Sequence, residues 1–348
     1  MIRELNVNGF RCFREIRVEP LTRVNLFVGQ NNAGKTSLLE AIELVAIGGV
    51  EGLVRSAVRR DEKILTRSGA EEEFKEHVVD PSHLFFGHDL RFGTSFKIEG
   101  HGETERWVRC TVEQASKRET LIKTLRLRDS VRPTLHLGGE RLTISPSGGV
   151  LPPPRRMPES NPRVNFLAAE SILEGRLGQL WDTLVLTPEE EEITESLRIV
   201  EPQVERLAFL TEGRGTSANI VLKLKGIEQR IPLGSLGGGL RHFLALVLNL
   251  LSARGGFLLV DEIDTGLHYS VLVDMWRLIV ETARRLDVQV FATTHSLDCV
   301  RALARLHNKY PELAAEVTVH RVEKDAPKTV VYDADEIVIA AESQLEVR

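Results

Sequence analysis

The feature that most constrains the fold is a glycine loop at residues 29–37, which read Gly-Gln-Asn-Asn-Ala-Gly-Lys-Thr-Ser. The segment matches the pattern G-x-x-x-x-G-K-[ST], in which a strand enters the loop and a helix leaves it. The apolar residues 24–28 predict that strand, and residues 37–45 predict that helix. An ordinary glycine turn is the alternative. The order strand, loop, helix favours a phosphate-binding loop, because it aims backbone N–H groups at a polyphosphate.

The residues of this loop have separate predicted roles. Gly29 and Gly34 let the backbone curl close to the phosphates. Lys35 reaches the outer phosphates, and the Thr36 hydroxyl holds Mg²⁺. The predicted nucleotide-binding residues here are Gly29, Asn31, Asn32, Ala33, Gly34, Lys35, Thr36 and Ser37.

A second block, residues 257–262, is an apolar strand that ends in two carboxylates, Asp261 and Glu262. A strand this apolar can be buried on both faces of a parallel sheet, and such sheets bind ligands at the carboxyl ends of their strands. Asp261 is therefore the predicted magnesium ligand, and Glu262 is predicted to polarise the attacking water. The alternative is a core strand that ends in a solvated acidic turn.

A third block, residues 288–292, is another apolar strand, and the polar residues that follow it include His295. One predicted helix, residues 269–286, connects the second block to the third. A right-handed crossover then places the two strands side by side. His295 is predicted to bond the γ-phosphate or the attacking water, although a histidine at a strand end can also be purely structural.

A fourth block, residues 233–242, carries three consecutive glycines, Gly237, Gly238 and Gly239, before a predicted helix at residues 240–251. Glycines at a helix start form an anion-binding nest. The chain already has one phosphate loop, so a second nest suggests that two protomers share nucleotide. A flexible turn before a core helix is the alternative.

These four blocks, in this order, resemble an ATP-binding-cassette (ABC) ATPase of the SMC, RecF and OLD branch. By this resemblance residues 29–37 are the Walker A loop, residues 257–262 are the Walker B strand, and His295 is the switch histidine. Asp264 begins a segment, Asp-Thr-Gly-Leu-His, that is similar to the D-loop of the OLD-like subgroup.

The resemblance also covers the signature and the N-terminus. Residues 236–239 occupy the signature position, with Gly237 where the family usually has serine and Ser235 as a nearby hydroxyl. Residues 5–13 are similar to the first strand and turn of the same branch, in which Arg11 is expected to approach the nucleotide.

The implied fold is α/β, a P-loop NTPase with an ABC-ATPase head, a mixed central sheet and an inserted β-rich and helical region. The head is expected at residues 1–50 and 160–325, the insertion at 51–159 and a C-terminal tail at 326–348. Short alternating runs between residues 92 and 147 predict β-hairpins in the insertion.

The implied activity is slow hydrolysis of ATP with Mg²⁺, with Lys35, Glu262 and His295 as the catalytic residues. Two subunits, or a higher oligomer, are expected to sandwich ATP and to regulate or sense for a separate effector, a nuclease or toxin, in DNA maintenance or phage defence. The first alternative is an ATPase of RecF type that binds DNA directly. A transporter subunit is a weaker alternative, because its usual Leu-Ser-Gly-Gly-Gln signature is missing.

The chain resembles stand-alone OLD-like ATPases that lack a C-terminal Toprim nuclease, since only about fifty residues follow His295. Asp333 and Asp335 have Toprim-like spacing, but a solvated loop is the favoured interpretation. DNA contact depends on residues 101–163, which hold twelve Lys and Arg against seven Asp and Glu. A solvated β insertion is an equal alternative. The arginines singled out are Arg126, Arg128, Arg132, Arg155, Arg156 and Arg163.

Composition sets outer bounds on these hypotheses. The net charge of −5 over 348 residues gives no global basic field for nucleic acid. The three cysteines, Cys12, Cys110 and Cys299, share no ligand spacing and predict free thiols in a reducing compartment. The longest apolar run, residues 243–251, is too short to span a bilayer. With a charged N-terminus, these features predict a cytoplasmic protein without a membrane partner.

Overall fold

The computed structural model describes residues 1–48, 50–60, 62–65, 77–79, 81–88, 91–114, 131–137, 140–143, 163–169, 174–211 and 218–342. All three cysteines are free thiols. Across these ranges, no helix is both long and apolar enough to cross a membrane.

The chain divides into two compact units. The first unit comprises residues 1–19, 36–161 and 324–329, and the second comprises residues 20–35, 162–323 and 330–348. This grouping differs from the predicted boundaries. Residues 1–19 join residues 36–161 because their first strand pairs with a strand near residue 100. The predicted tail at 326–348 supplies a strand and a helix to the second unit.

The first unit contains an antiparallel sheet in the order β2-β1-β6-β7-β8-β9. Three buried rings, Phe10, Phe85 and Phe96, pack edge to face with centroids 5.3 Å apart in each of the two pairs that Phe96 makes. The predicted hairpins between residues 92 and 147 are confirmed as β6–β7 and β8–β9. The strands are β1 (Ile2–Phe10), β2 (Phe13–Val18), β4 (Lys63–Leu65), β5 (His77–Val79), β6 (Ser95–Gly102), β7 (Arg106–Gln114), β8 (Val131–Leu137) and β9 (Glu140–Thr143).

Helices complete the first unit. Helix α2 (Val50–Arg59) follows helix α1 (Lys35–Ile47), whose first residue, Lys35, is the last residue of a segment of the second unit. The strands β4 and β5 form a separate two-stranded sheet. Two short 3-10 helices, Pro81–Leu84 and Phe86–His88, precede β6.

The second unit is built on a sheet in the order β10-β14-β15-β3-β16-β17. The first five strands are parallel, and β17 joins the edge antiparallel to β16. Strands β3, β14 and β15 are buried along their whole length, as apolar strands in the middle of a parallel sheet must be. Their bounds are β3 (Val24–Val28), β10 (Val164–Leu167), β14 (Phe257–Val260), β15 (Gln289–Thr293), β16 (Val317–Arg321) and β17 (Val330–Tyr332).

Among the described residues of the second unit, six helices and a small antiparallel sheet accompany this central sheet. The helices are α3 (Glu174–Leu184), α4 (Glu189–Leu197), α5 (Gly238–Ser252), α6 (Leu272–Leu286), α7 (Leu297–Lys309) and α8 (Ala334–Glu342). The small sheet is β11 (Val204–Thr211), β12 (Ala218–Leu224) and β13 (Ile231–Pro232). Short 3-10 helices occupy Leu233–Leu236, Tyr269–Val271 and Pro311–Glu316. The mixed α/β fold with a phosphate-loop strand in mid-sheet is as predicted.

Candidate nucleotide site

The glycine loop leaves β3 at the carboxyl edge of the central sheet. Gly29 has φ 145°, and a Cβ there would lie 2.4 Å from the Val322 carbonyl oxygen, so only glycine fits. Gly34 has φ 103° and Asn32 has φ 62°, which curl the chain between them. The Ala33 N–H closes the curl by donating to the Gln30 carbonyl oxygen at 3.2 Å. The predicted loop therefore has the tight backbone that a phosphate cradle needs.

Lys35 lies inside this curl and is 5% exposed. Its Nζ donates to the carbonyl oxygens of Gly29 at 2.7 Å and Gln30 at 2.9 Å. It also lies 3.2 Å from Nδ1 of His295. Burial lowers the pKa of Lys35 to about 8, although Asp261 and Glu262 act in the opposite direction. The site thus holds a poorly solvated cation that an anion would stabilise.

The two carboxylates follow β14 as predicted, and β14 lies parallel to β15 with Val260 opposite Ala292. Asp261 Oδ1 accepts a hydrogen bond from the Thr293 hydroxyl at 2.6 Å. Glu262 has φ 52°, and its N–H donates to the same hydroxyl at 2.9 Å. The neighbouring strand end therefore determines the geometry of the acidic turn.

His295 connects the two halves of the cluster. Its Nε2 lies 3.5 Å from Glu262 Oε1, while its Nδ1 faces Lys35. A protonated lysine can only donate, so Nδ1 accepts and the ring proton is on Nε2, facing the carboxylate. Lys35, which precedes Glu262 and His295 by more than two hundred residues in sequence, is thereby brought together with them in the second unit.

The glycines predicted to form the signature contact the segment predicted to be the D-loop. Gly237, with φ 91°, precedes α5, and a Cβ at Gly237 or Gly238 would meet nothing within 4 Å. By contrast, a Cβ at Gly239 would lie 2.1 Å from the carbonyl oxygen of Gly266, so these two backbones touch. Ser235 is exposed in the 3-10 helix before them.

Asp264 is held from the end of β15, where the Thr294 hydroxyl donates to its Oδ1 at 2.6 Å. Sequence reasoning predicted Asp264 as a D-loop residue but overlooked Thr293 and Thr294, which support the acidic turn and the D-loop. Two adjacent hydroxyl side chains directly before His295 were the available signal.

Arg11 lies in the first unit, where its guanidinium contacts two carboxylates and a hydroxyl. Its Nε lies 2.6 Å from Glu40 Oε2 and its Nη1 lies 2.7 Å from Glu62 Oε1. Its Nη2 donates to the Ser56 hydroxyl at 2.7 Å. These bonds tie the turn between β1 and β2 to α1 and α2, and a contact of Arg11 with nucleotide stays a prediction.

The remaining predicted site residues of α1 also belong to the first unit. Thr36 follows Lys35 directly, and its role as a magnesium ligand stays a prediction. The Ser37 hydroxyl accepts a hydrogen bond from Arg60 at 3.3 Å, and Cys12 also bonds this hydroxyl. Burial raises the pKa of the Cys12 thiol.

Two further predictions concern the C-terminal aspartates and the arginines. Asp333 accepts the Glu336 N–H at 2.9 Å and donates its own N–H to the Glu336 carboxylate at 3.0 Å. This is a capping box, so the predicted solvated loop is instead the start of α8.

Among the arginines predicted to contact DNA, Arg163 is exposed and Arg132 lies in β8. Outside the described residues lie Arg126, Arg128, Arg155 and Arg156.

Comparison with known proteins agrees with this geometry. The sequence profile of the AAA_21 family, described as "AAA domain, putative AbiEii toxin, Type IV TA system", matches residues 24–299, more than half of the chain. An ATP/GTP phosphatase of Helicobacter pylori is 22% identical in an alignment of 335 positions that covers 87% of this chain and 87% of the phosphatase. The RecF DNA replication and repair protein of Thioalkalivibrio sulfidiphilus is 48% identical over 48 residues, 14% of this chain and 13% of RecF.

Two solved structures share the fold. An Smc head domain with an extended coiled coil from Pyrococcus furiosus, bound to the C-terminal domain of ScpA, superposes with a TM-score of 0.54 at 15% identity and 99% coverage of both chains. An Smc head bound to the C-winged helix domain of ScpA gives 0.53 at 17% identity, covering 95% of this chain and 97% of that one. The chain belongs to the AAA_21 family and is an ABC-type ATPase of the SMC and RecF branch.

Proposed function

We propose that this ATPase is a nucleotide-driven switch. Two copies close around ATP, hydrolyse it slowly and open again, and the closed and open states control a separate effector protein. The observation that supports this most is the cluster of Lys35, His295 and Glu262, with Nζ to Nδ1 at 3.2 Å and Nε2 to Oε1 at 3.5 Å. A lysine, an imidazole and a carboxylate in contact can neutralise charge on a phosphate and position a water, which are the contributions that phosphoryl transfer needs from a protein.

Phosphate binding in this proposal begins with Lys35. In the described structure its Nζ bonds two carbonyl oxygens and an imidazole, all of them neutral acceptors. Phosphate oxygens are stronger acceptors for an ammonium, so Lys35 would transfer at least one bond to them. The backbone N–H groups of residues 31–37, in the loop and the first turn of α1, add the positive end of a helix dipole.

Asp261 is proposed to hold Mg²⁺ through its carboxylate, an oxygen ligand of the kind this ion prefers, and the role of the Thr36 hydroxyl as a second ligand stays a prediction. When bound, Mg²⁺ would neutralise charge on the β- and γ-phosphates. The Asp261 carboxylate suits this role because Thr293 holds its Oδ1 in one direction.

Glu262 is proposed to polarise the attacking water, because its side chain remains 46% exposed although its backbone is fixed. His295, 40% exposed on the side chain, is proposed to keep Glu262 and Lys35 in position, because its ring lies 3.2 Å from Lys35 Nζ and 3.5 Å from Glu262 Oε1. Proximity of this kind is the main contribution that a protein makes to a loose phosphoryl-transfer transition state.

The second copy is proposed to contribute its signature glycines. Gly237 and Gly238 are exposed and have open space where side chains would be, and they stand at the N-terminus of the 15-residue helix α5. Such a terminus attracts anions. We infer that it caps the γ-phosphate held by the partner, as the D-loop beside it, with Asp264, approaches the same nucleotide.

The effector is proposed from the comparisons. The family description names a toxin and a TA system, and the Smc heads are described as bound to a domain of ScpA. These descriptions support a partner protein. We infer that this partner is a nuclease or toxin in DNA maintenance or phage defence, and that both proteins act in the cytoplasm. The OLD-like character of the chain stays a prediction.

A size measurement with nucleotide tests the switch. We expect Glu262→Gln with ATP and Mg²⁺ to run as a dimer or larger species by light scattering, and as a smaller species with ADP. Lys35→Ala, the matched control, should remain small with either nucleotide. Identical sizes for Glu262→Gln with ATP, ADP and no nucleotide would refute the proposed sandwich.

The RecF-type alternative, direct binding of DNA, is favoured by the local identity to RecF proteins. Because that match covers only 14% of the chain, this alternative stays second. Strongly salt-dependent DNA binding that is lost on reversing the charge of Arg126, Arg128 and Arg132 would favour it over the effector proposal. The transporter alternative stays a prediction that none of the comparisons favours.

A further inference from the structure

Two adjacent threonines at the end of β15 each hold one of the loops that surround the nucleotide site. We propose that Thr293 and Thr294 are positioning residues for ATP hydrolysis. Thr293 orients the magnesium ligand Asp261 and the turn of Glu262, and Thr294 orients the D-loop through Asp264. This inference rests on the proposed function, because it assigns how the proposed metal ligand and D-loop are held.

The Thr293 side chain is fully buried and uses both of its hydrogen-bonding functions. Its O–H donates to Asp261 Oδ1 at 2.6 Å, and its oxygen accepts the Glu262 N–H at 2.9 Å. A hydroxyl has one proton, so donation to Asp261 leaves the oxygen to accept from Glu262. One side chain therefore fixes both the carboxylate and the backbone next to it.

The backbone that Thr293 supports is strained. Glu262 has φ 52°, a left-handed conformation that is unfavourable for a residue with a side chain. The Ile263 N–H also donates to the Thr293 carbonyl oxygen at 3.0 Å. Thr293 thus holds the acidic turn at two successive peptide groups, and this turn aims Glu262 toward His295.

Thr294 repeats the arrangement one residue later. Its side chain is fully buried, its O–H donates to Asp264 Oδ1 at 2.6 Å, and its oxygen accepts the Ser296 N–H at 2.9 Å. The D-loop that contains Asp264 contacts the signature at Gly266 and Gly239. Thr294 therefore connects the end of β15 to the two loops proposed to meet the partner's nucleotide.

Consecutive residues at a strand end point to opposite sides, so Thr293 and Thr294 reach different loops, and His295 follows. In the order Thr-Thr-His, Thr293 thus contacts the proposed metal ligand, Thr294 contacts the D-loop, and His295 contacts both Lys35 and Glu262. An apolar side chain of similar size at either threonine would keep the packing and remove only the hydroxyl.

The test is the affinity for a divalent ion, measured without turnover. Mn²⁺ is titrated by electron paramagnetic resonance into protein that carries a non-hydrolysable ATP analogue. We expect Thr293→Val to weaken Mn²⁺ binding roughly tenfold, as loss of one hydrogen bond to a charged ligand would. Thr293→Ser should restore the affinity for Mn²⁺. In EDTA, which removes the divalent ion, Thr293→Val should bind the analogue as tightly as the wild type does.

Thr294→Val is the matched control, since it removes a buried hydroxyl from the next residue. We expect it to leave Mn²⁺ affinity within twofold and to weaken ATP-dependent dimer formation of a Glu262→Gln background. Folding of each variant is checked by circular dichroism, and Thr293→Ala replaces Thr293→Val under the same criteria if the latter does not fold.

The outcomes separate this inference from the proposed function. If the wild type does not bind the analogue, the proposed function fails. If it binds analogue and Mn²⁺ but Thr293→Val binds Mn²⁺ equally well, only the role of Thr293 is overturned. Equal loss of Mn²⁺ affinity in Thr293→Val and Thr294→Val would also overturn it, because a general loosening of the strand end would then explain both.

Discussion

Because the pKa of Lys35 is lowered to about 8, the affinity for nucleotide should depend on pH around this value. Burial holds this pKa at about 8 in the ligand-free protein. About nine-tenths of the protein then carries a charged Lys35 at pH 7, and about one-tenth at pH 9. Only the charged form is a good partner for a triphosphate. The apparent Kd for ATP should therefore rise roughly tenfold from pH 7 to pH 9.

The direction of this pH dependence follows from the linkage between ATP binding and proton binding. Bound phosphates favour the ammonium and raise the pKa of Lys35, so above pH 8 binding must take up a proton. The same lowered pKa means that the ligand-free fold gains stability as pH rises through 8 toward the ordinary value of 10.5, because only the unfolded chain still holds the proton there.

Calorimetry measures both effects. ATP is titrated with Mg²⁺ at pH 7, 8, 8.5 and 9, in two buffers with different ionisation enthalpies, so that proton uptake is counted directly. We expect uptake of more than half a proton per ATP at pH 8.5. Lys35→Arg is the control, because guanidinium stays charged throughout and should show no uptake. An ATP affinity of the wild type that is constant from pH 7 to pH 9 would refute this reasoning.

Three other predictions concern stability and packing. Gly239→Ala places a Cβ 2.1 Å from the Gly266 carbonyl oxygen and should cost about 1–3 kcal/mol of unfolding free energy, whereas Gly238→Ala, with open space, should cost almost nothing. Equal urea midpoints for the two variants would contradict this. Glu40→Gln removes the charge that faces Arg11 and Arg60 in a buried network and should lower the free energy of unfolding by about 3–5 kcal/mol. Glu281→Gln, which removes one partner of the exposed ion pair with Arg277, should lower it by less than about 1 kcal/mol. Burial lowers the pKa of His320 to about 4, so protonation of the unfolded chain should remove about 2 kcal/mol of stability between pH 7 and pH 5, and His320→Leu should lack this loss in urea titrations.

Much of the second unit is predictable from sequence. Buried parallel strands are continuously apolar, so the runs before Gly29, Asp261 and the Thr-Thr-His segment each indicate a strand in mid-sheet. The right-handed crossover rule then predicts that β14 and β15 are neighbours, and this is confirmed. Those two inferences bring Glu262 and His295 to the same edge of the sheet before any coordinates are known.

The contacts that specify the site are less predictable. Nothing in the spacing of residues 261–264 and 293–294 shows that each hydroxyl bonds one carboxylate, because this pairing depends on the turn at Glu262. The assignment of the ring proton of His295 to Nε2 likewise depends on the short distance between its Nδ1 and Lys35 Nζ.

The first unit shows a different limit of sequence reasoning. β1 pairs with β6, some ninety residues later, and alternating polarity alone does not identify a strand's partner. The role of Arg11 depends on Glu40 and Glu62, which lie on α1 and after α2, so the motif alone could not predict that its guanidinium is enclosed by carboxylates.

The most direct test of the catalytic cluster is a single-turnover measurement of ATP hydrolysis by Glu262→Gln beside the wild type. The substitution keeps the shape of the side chain 3.5 Å from His295 and removes only its ability to accept a proton. We predict that the variant binds ATP with Mg²⁺ as tightly as the wild type, while its rate of hydrolysis falls at least roughly a hundredfold. A rate equal to that of the wild type would contradict the assignment of Glu262 as the catalytic carboxylate.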